Sequence, residues 1–401
     1  MKKEDEKKFL GNIKKLYLMN IFGNAQFHLV IFTLFLLSKG LGMTQFFILA
    51  SISAVTALIM EIPTGAFSDR VSRKNSMIIG TLFLILSTFL MIISNNFFVL
   101  IFAFVLGGVT MSFYSGTDKA LLYDSLKAIK KQKQFKKIIG RYVFFGTISV
   151  AVAGIIGGFI AQYDLSYAWW LWFIMAFPML LFQILLKEPP IKRHKKETYQ
   201  LHLKKSFKES FKGSASYFIF YSVLIWYFFG LGFWLYQPYL QQINIPVLYF
   251  GIIYALLMVG SAIVSVKAYK IEKKIGMRNS LLIIPIILGI SFILQSQMFL
   301  IIGFVFLFLQ SIAGGYFSPV LEDYINTRIP TKRRATILSV KNMLGSLVFL
   351  VFSPLVGVIV DVYSLKTAYF LMGIVLLVLA IVFFTVYKKN EKKGAKKKKR
   401  K

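Results

Sequence analysis

The sequence of 401 residues contains no cysteine. It therefore forms no disulfide bond, and neither thiol catalysis nor a cysteine-bound metal is available to it. Histidine is almost as scarce, with three residues, and two of them, His194 and His202, lack the spacing of an HxxxH metal pair. We expect no metal, no other cofactor and no enzymatic activity.

Sequence motifs of ATP-driven pumps and of channels are also missing. No phosphate-binding loop of the form GxxxxGK[ST] occurs, so the sequence offers no support for ATP-driven pumping. No selectivity-filter repeat is present, which disfavours a channel. A polytopic membrane enzyme, such as an acyl or glycosyl transferase, stays an alternative, although it would need a catalytic or metal cluster at the membrane surface.

Long polar stretches are few, and apolar runs of about twenty residues recur between residues 16 and 387. A helix of ~20 residues crosses the ~30 Å hydrocarbon core and satisfies its own backbone hydrogen bonds in lipid. The sequence predicts an all-α membrane protein of twelve transmembrane helices. The predicted spans are 16–38, 45–68, 76–95, 97–118, 141–162, 167–186, 214–237, 249–267, 279–296, 298–322, 342–361 and 367–387.

Acidic residues are outnumbered by basic ones, 16 to 48, and the net charge is +32. With these spans, 45 of the 48 cations fall on one side of the membrane; Lys39 and Lys366 lie on the other, and Lys119 lies near the inner end of span four. Cationic loops stay in the cytoplasm, so both termini are predicted to be cytoplasmic in a multi-pass cell (inner) membrane protein. The charge indicates topology and contact with anionic lipids, and no nucleic-acid partner is expected.

The chain divides at its most polar internal stretch. Residues 1–186 are predicted to form an N-terminal six-helix bundle, 187–213 a cytoplasmic linker, 214–387 a C-terminal six-helix bundle and 388–401 a basic cytoplasmic tail. The two halves resemble each other at an offset near 204 residues, for example in the loops RVSRKNS and KIGMRNS that end at Ser76 and Ser280. Repeated halves are typical of transporters that rock around a central site.

One loop carries a family resemblance. Between spans two and three, Gly65-Ala-Phe-Ser-Asp69-Arg70-Val-Ser72-Arg73-Lys74 resembles the loop 2–3 signature of the major facilitator superfamily, with Ser72 in place of the second glycine. The segment that starts at Asp118 and ends with Tyr-Asp124-Ser also resembles bacterial members of the superfamily. So does the KEPP sequence in the linker. The resemblance covers residues 16–387 and implies the twelve-helix fold with two six-helix repeats.

The resemblance also implies a role for this loop as a conformational latch. Gly65, Asp69, Arg70, Arg73 and Lys74 are its candidate residues, although a positively charged topogenic turn would look similar. The second half departs from the pattern, because Lys273 stands where Asp69 would align and Glu272 is one residue away. We therefore expect an asymmetric latch.

Few acidic residues lie within the predicted spans. Inserting an ionisable group at membrane depth costs at least ~2.5–3.5 kcal/mol on insertion scales, so an acidic residue there indicates a function. A proton-coupled carrier needs a carboxylate that takes up and releases a proton, and burial favours its neutral form. Asp118, Glu61 and Glu322 are the candidates for proton coupling. Pairing of Glu322 with nearby cations at the inner interface is the alternative for that residue.

Polar residues recur four apart on several spans, so they share helix faces. The resemblance implies that spans one, four, seven and ten line a central cavity. Helix-to-helix hydrogen bonds are the competing role for the same residues. The candidate cavity residues are Asn20, Asn24 and His28 on span one, Thr110 and Tyr114 on span four, Trp226, Trp234, Gln237 and Tyr239 on span seven, and Gln310 and Ser318 on span ten.

These features predict a secondary active transporter that works by alternating access. The aromatic residues favour amphipathic or aromatic small molecules, exported in exchange for protons by a monomer. Span four lacks the membrane-embedded arginine that many family members carry. Span five keeps glycines in Gly154-Ile-Ile-Gly157-Gly158 but lacks the proline that drug antiporters usually have after the glycine. A nutrient or metabolite importer of the same fold is therefore the alternative.

Overall fold

The structure is a computed structural model and describes residues 3–189, 214–297, 303–329 and 334–398. The secondary structure of these residues is helical, without strands. Most of the predicted linker, including His194 and His202, lies outside the described residues, as do the side chains of the predicted basic tail. The chain forms two compact units, Met1–Lys195 with Pro246–Ala255 and Lys196–Ile245 with Leu256–Lys401.

The first unit contains eight α-helices among its described residues. They are α1 (Lys3–Gly23), α2 (Phe32–Ser38), α3 (Met43–Arg70), α4 (Arg73–Ile93), α5 (Phe97–Tyr114), α6 (Thr117–Ala128), α7 (Phe135–Ala161) and α8 (Leu165–Ile184). Helix α5 packs along both α3 and α4, while α8 packs on α1 and α4. The apolar core between α1, α4, α6, α7 and α8 includes Leu16, Met77, Leu121 and Met179.

Five further helices follow, and they account for most of the second unit. They are α9 (Ser214–Gln242), α10 (Phe250–Gln297), α11 (Phe304–Asn326), α12 (Arg334–Val362) and α13 (Leu365–Lys398). Within the second unit, α9 packs on α11, α12 and α13. Pro238 lies inside α9, which continues to Gln242.

Helix α10 holds two predicted spans. Its 48 residues would measure about 72 Å in a straight helix, more than twice the hydrocarbon core. Gly276 inside it has φ 77° and ψ 161°, which are not helical angles, and this kink separates the eighth span from the ninth. The described residues contain eleven helical stretches long and apolar enough to cross a membrane, of which Val247–Gln297 is one. Counting that stretch as two confirms the twelve-span fold.

Two spans of the first unit are interrupted, which the sequence reasoning did not predict. Helix α1 ends at Gly23, one 3₁₀ segment covers Phe27–Ile31, and α2 completes the span. Helix α5 ends at Tyr114, and α6 starts at Thr117 after Gly116, whose φ of 74° is a left-handed conformation that glycine adopts readily. A break inside an apolar span leaves backbone groups that lipid does not satisfy, so protein groups must bind them.

Glycines of α7 let it pack closely on the interrupted part of span one. A Cβ atom added to Gly157 would lie 2.0 Å from the carbonyl oxygen of Phe27, and one added to Gly146 would lie 2.8 Å from Nδ2 of Asn20. A side chain at either position would overlap span one. Small residues in this role are common where membrane helices approach closely.

The two units also repeat one close helix contact. In the first, a Cβ atom on Gly108 would lie 2.4 Å from the backbone oxygen of Ser53, where α5 crosses α3. In the second, a Cβ atom on Gly315 would lie 2.2 Å from the backbone oxygen of Ser261, where α11 crosses α10. The pairs are about 207 residues apart in sequence, close to the offset of the predicted repeat.

Lys39, one of the few cations predicted to lie outside, has a structural role. Its ammonium donates to the backbone oxygens of Ile92 and Ser94 at 3.0 Å each and to Oδ1 of Asn95 at 3.1 Å. These are carbonyls at the end of α4, where a cation also interacts favourably with the helix dipole. Partial burial lowers the pKa of Lys39. The lysine therefore caps α4, which explains a charge that runs against the general bias.

We predict that Gly157→Ala destabilises the protein, whereas Gly140→Ala on the same helix does not. The first substitution forces a methyl group against Phe27 and should cost about 1–3 kcal/mol through overpacking. The Cβ atom of the second meets nothing within 4 Å, and alanine is the better helix former by ~1 kcal/mol. Thermal unfolding in detergent measures both, and equal midpoints for the two variants would contradict the close contact.

Candidate functional site

The loop between α3 and α4 is bound by the carboxylate of Glu188, which follows α8 in the sequence. Ser72 is the N-cap residue of α4, and its Oγ accepts from the N–H of Asn75 at 3.0 Å while donating to Oε2 of Glu188 at 2.9 Å. Glu188 also accepts from the backbone N–H groups of Arg73 and Lys74, at 3.0 and 2.9 Å. An anion at a helix N-terminus satisfies free N–H groups and complements the helix dipole. Glu188 therefore caps α4.

Arg73 lies between two carboxylates. Its guanidinium forms an ion pair with Asp124 of α6, whose side chain is only 9% exposed. The carboxylate of Asp69, at the end of α3, is 3.8 Å from the same guanidinium and 47% exposed. A buried charge is stable only when it is paired, so Arg73 and Asp124 depend on each other. Together these contacts join the end of α3, the start of α4 and the middle of α6.

The other predicted latch residues lie at the same end of the first unit. Lys74 Nζ donates to the backbone oxygen of Ile184 at 2.6 Å, at the end of α8. Arg70 is exposed. Gly65 is exposed within α3, and a Cβ atom there would meet nothing within 4 Å. We define the loop 2–3 cluster as Asp69, Ser72, Arg73, Lys74, Asp124 and Glu188.

The corresponding loop of the second unit is built differently. Gly276 takes the repeat position of Ser72, and its left-handed φ of 77° explains a glycine there. Ser72 instead is extended, with φ −171°, and uses its hydroxyl as the helix cap. Glu272, the nearest acid to the position that aligns with Asp69, accepts from the Tyr324 hydroxyl at 2.6 Å. The two loops therefore differ in chemistry as well as in sequence.

A chain of hydrogen bonds connects the interruptions of spans one and four. Nδ2 of Asn24 donates to Oδ1 of Asn20 at 2.9 Å, and Nδ2 of Asn20 donates to the backbone oxygen of Tyr142 at 2.8 Å. The Tyr142 hydroxyl then donates to Oδ2 of Asp118 at 2.6 Å. Asp118 lies in the first turn of α6, directly after the break at Gly116. We call these four residues, Asn20, Asn24, Tyr142 and Asp118, the polar chain.

The predicted polar stripe of span four is divided by its break. Thr110 donates to the backbone oxygens of Gly80 and Leu106, at 3.2 and 3.0 Å. The Tyr114 hydroxyl is hydrogen-bonded to Thr81 and accepts from Nε2 of Gln183. Thr110 and Tyr114 therefore make helix-to-helix contacts with α4 and α8, whereas Asp118 contacts α7.

His28 lies in the 3₁₀ segment of span one and is 7% exposed. Its ring packs against Phe32, Trp169 and Trp172, with centroid separations of 5.8, 4.4 and 5.1 Å. Nδ1 of His28 and Nε1 of Trp169 are buried without a hydrogen-bond partner among the described residues. Buried nitrogens are normally hydrogen-bonded, and leaving them unpaired is costly. These two adjacent side chains therefore retain unused capacity to bind a polar atom.

The other predicted proton carriers have different surroundings. Glu61 is half-buried on α3. Glu322 is exposed on α11, close enough to Lys341 for the two charges to interact. Only Asp118 of these three candidates belongs to the polar chain.

The candidates on spans seven and ten have mixed environments. Gln310 donates to Oε1 of Gln295 at 2.7 Å, which is a helix-to-helix contact. Gln237 and Tyr239 are fully buried in the second unit. Trp226 is 47% exposed beside Phe229 and Phe317. Trp234 and Ser318 are half-buried.

Several contact residues were missed as site residues by the sequence reasoning. Glu188 and Asp124 belong to segments whose family resemblance was noticed, so a signal for them existed. Tyr142, Gln183 and Trp169 carried none, because each owes its role to partners far away in the sequence. No group of three or more His, Cys, Asp or Glu side chains in the described ranges is placed to hold a metal ion.

These observations define the class of the protein: a polytopic helical membrane protein whose two units repeat a helix contact, as in transporters. The family model of the Major Facilitator Superfamily matches residues 16–294 and 238–401. The chain therefore belongs to the major facilitator superfamily and is one of its transporters. The predicted family and fold are confirmed.

Solved transporters share this fold at low sequence identity. A point mutant of the nucleoside transporter NupG matches at 14% identity and a TM-score of 0.80, over 94% of this chain and 99% of that one. A bacterial homologue of the human lysosomal transporter Spinster, inward-facing and unoccupied, matches at 16% and 0.70, over 97% and 98%. The human organic anion transporter MFSD10 matches at 15% and 0.61, over 94% and 99%. No curated protein matches the sequence.

We predict that Glu188→Ala lowers stability, whereas Asp69→Asn leaves it nearly unchanged. The first removes the carboxylate that binds the N–H groups of Arg73 and Lys74, while the Ser72 cap remains, at a cost of about 1–2 kcal/mol. The second removes the charge of a half-exposed residue, and exposed pairs contribute about 0–1 kcal/mol. Thermal unfolding in detergent compares them, with Glu188→Gln expected between the two. An unchanged midpoint in Glu188→Ala would contradict the capping role.

Proposed function

We propose that the protein is a proton-coupled secondary active transporter, and that Asp118 carries the proton. The observation that supports this most directly is the 2.6 Å hydrogen bond from the Tyr142 hydroxyl to Asp118, at the interruption of span four. Ionisable groups inside membrane spans are costly and mark ion or proton pathways. Interrupted helices mark the sites of coupling ions and substrates in many transporters.

The chemistry of the pair suits proton transfer. An ionised carboxylate accepts a strong, charge-assisted hydrogen bond from a phenol, and a protonated one accepts a weaker bond. Asp118 is half-buried, so a proton can reach it while its tyrosine partner stays in place. Exchange between the two forms changes the charge of the interior by one unit during each transport cycle.

Amphipathic or aromatic small molecules are the proposed substrates. The rings packed around His28 form a buried apolar cluster, and the unpaired nitrogens of His28 and Trp169 lie within it. Sites of this kind, apolar with a few polar groups, bind small organic ligands. Export in exchange for protons is the proposed direction. The fold likeness to a nucleoside transporter keeps import of a metabolite as the second candidate.

Orientation and the loop 2–3 cluster complete the proposal. The basic side would face the cytoplasm and contact anionic lipids, and the protein would act as a monomer. Asp69, Arg70, Arg73 and Lys74, with Gly65, would latch one conformation. Asp69→Asn should then slow transport while membrane insertion and thermal stability are retained. Wild-type transport rates in this variant would exclude the latch.

Transport in proteoliposomes tests the coupling. With an imposed pH gradient, a panel of aromatic cations, aromatic alcohols and nucleosides should include compounds that the wild-type protein moves against their own gradients. Asp118→Asn should abolish this gradient-driven movement while substrate binding, measured by thermal shift, is retained. The sign of the pH gradient that drives accumulation gives the direction of transport.

Two controls make the result decisive. A sodium gradient in place of the pH gradient should drive no movement, and Glu322→Gln should retain coupling. Retained pH-gradient coupling in Asp118→Asn would exclude Asp118 as the proton carrier. Movement driven only by sodium would exclude proton coupling altogether.

The neighbouring tryptophans provide a matched test of the substrate contact. Trp169→Phe keeps an aromatic ring but removes the unpaired indole N–H, and should raise the KM about tenfold, since a lost hydrogen bond to substrate costs ~1–1.5 kcal/mol. Trp170→Phe changes a ring that packs on Phe89 and Phe173, and should leave the KM unchanged. Equal effects of the two variants would argue against a substrate contact at Trp169.

A further inference from the structure

Tyr142 connects two interruptions of the membrane spans. Its hydroxyl binds Asp118, next to the break in span four, and its backbone oxygen binds Asn20, next to the break in span one. We propose that Tyr142 is the positioning residue through which the protonation state of Asp118 controls the conformation of span one around residues 24–26. The inference rests on the proposed proton coupling and names the element that responds to the proton.

The hydrogen bonds that lead from Tyr142 through Asn20 to Asn24 are buried and can transmit a displacement of Tyr142. Tyr142 is 3% exposed and Asn20 is 8% exposed, so water does not compete freely for their polar atoms. Asn20 in turn binds Asn24 through Oδ1 and through its backbone oxygen, at 2.9 and 2.8 Å. Asn24 is the first residue after α1 ends. A displacement of Tyr142 therefore acts directly on the end of that helix.

The close contact between α7 and span one makes the connection stiff. Gly146, one turn beyond Tyr142, leaves no room between α7 and the Asn20 amide, and Gly157 leaves none between α7 and Phe27. Ser149 of α7 also donates to the backbone oxygen of Ile21 at 2.6 Å. Closely packed interiors transmit small shifts because they have no voids to absorb them. Tyr142 therefore moves together with the broken segment.

Protonation of Asp118 changes the strength of one bond in this assembly. The bond from Tyr142 to the carboxylate is charge-assisted, and its neutral counterpart is roughly half as strong. Loss of that strength frees the tyrosine ring to shift, which alters the position of its backbone oxygen and thus of Asn20. We expect a change of about fivefold in the opening of the segment around residue 26.

The helices packed against α6 carry other titratable groups, and on α7 the charged Arg141 next to Tyr142 is exposed. Helix α5 presents Tyr114, which is bound to Thr81 and Gln183. Helix α1 presents Tyr17, whose hydroxyl donates to the backbone oxygen of Ile138 at 3.0 Å. The charged Arg73 of α4 is paired with Asp124, and Lys119 of α6 and Lys133 of the 3₁₀ turn Gln132–Gln134 are exposed.

The absence of cysteine from the natural sequence permits a substrate-free test. Gln26→Cys places a single thiol in the segment between Gly23 and Phe27, and Tyr163→Cys places a reference thiol at a residue that is 71% exposed. Maleimide labelling of each variant in nanodiscs is measured between about pH 4 and pH 8. At pH values below the pKa of both thiols, the two thiolate fractions change in parallel, so the ratio of the two rates cancels the ionisation of the thiol.

The labelling ratio should change about fivefold with pH in the Gln26→Cys protein. Adding Asp118→Asn should hold the ratio at its low-pH value throughout. Adding Tyr142→Phe, which keeps the backbone oxygen but removes the hydroxyl, should also make it independent of pH. Adding Tyr17→Phe, which removes a neighbouring hydroxyl that binds no carboxylate, should leave the pH dependence intact.

Each other outcome identifies which statement is wrong. A ratio that still depends on pH in Asp118→Asn would overturn the control of span one by Asp118, whereas retained pH-gradient coupling of that variant in proteoliposomes would overturn the proposed function itself. A ratio that becomes independent of pH in Asp118→Asn but not in Tyr142→Phe would overturn the role of Tyr142 alone. An equal loss in Tyr17→Phe and Tyr142→Phe would overturn the specific role of Tyr142, because it would indicate general loosening of the core, which the thermal unfolding midpoints of all variants measure.

Discussion

The need to satisfy backbone polar groups inside lipid determines much of this structure. Most spans meet it as continuous helices, but spans one and four are interrupted, after Gly23 and Tyr114. At those interruptions side chains take over from the helical backbone. Asn24 binds the Asn20 backbone oxygen at the end of α1, and Asp118 follows the break in span four. The polar chain lies where helical hydrogen bonding stops. The glycines of α7 let that helix pack directly against the polar chain and span one.

Helix α6 links the two candidate regions of the first unit. Asp118 at its start belongs to the polar chain, and Asp124, six residues later, pairs with Arg73 in the loop 2–3 cluster. One short helix thus carries the carboxylate that we propose exchanges a proton and another carboxylate that holds an arginine at the end of the bundle. A shift of α6 would change both sets of contacts, since interhelical ion pairs and hydrogen bonds depend on a few tenths of an ångström.

Local patterns in the sequence predict the membrane spans and the family better than they predict the polar contacts. The twelve spans followed from length and hydropathy, and the family followed from the loop that contains Asp69 and Arg73. The polar stripes depend on residues four apart sharing one face, which holds only on a continuous helix. Gly116 interrupts span four between Tyr114 and Asp118, so these residues contact different helices. Gln310 lies on an unbroken helix, yet its amide binds Gln295, which hydropathy alone does not reveal.

The sequence by itself determined that the chain crosses the membrane repeatedly, that its halves are related and that it belongs to the major facilitator superfamily. Those properties depend on composition, local periodicity and short motifs, all of which act over neighbouring residues. Only the tertiary structure decided which polar groups meet. Tyr142 and Asp118 are 24 residues apart, and Ser72 and Glu188 are 116 apart. Such pairs form because helix packing brings distant residues within hydrogen-bond distance, and no local pattern encodes that geometry.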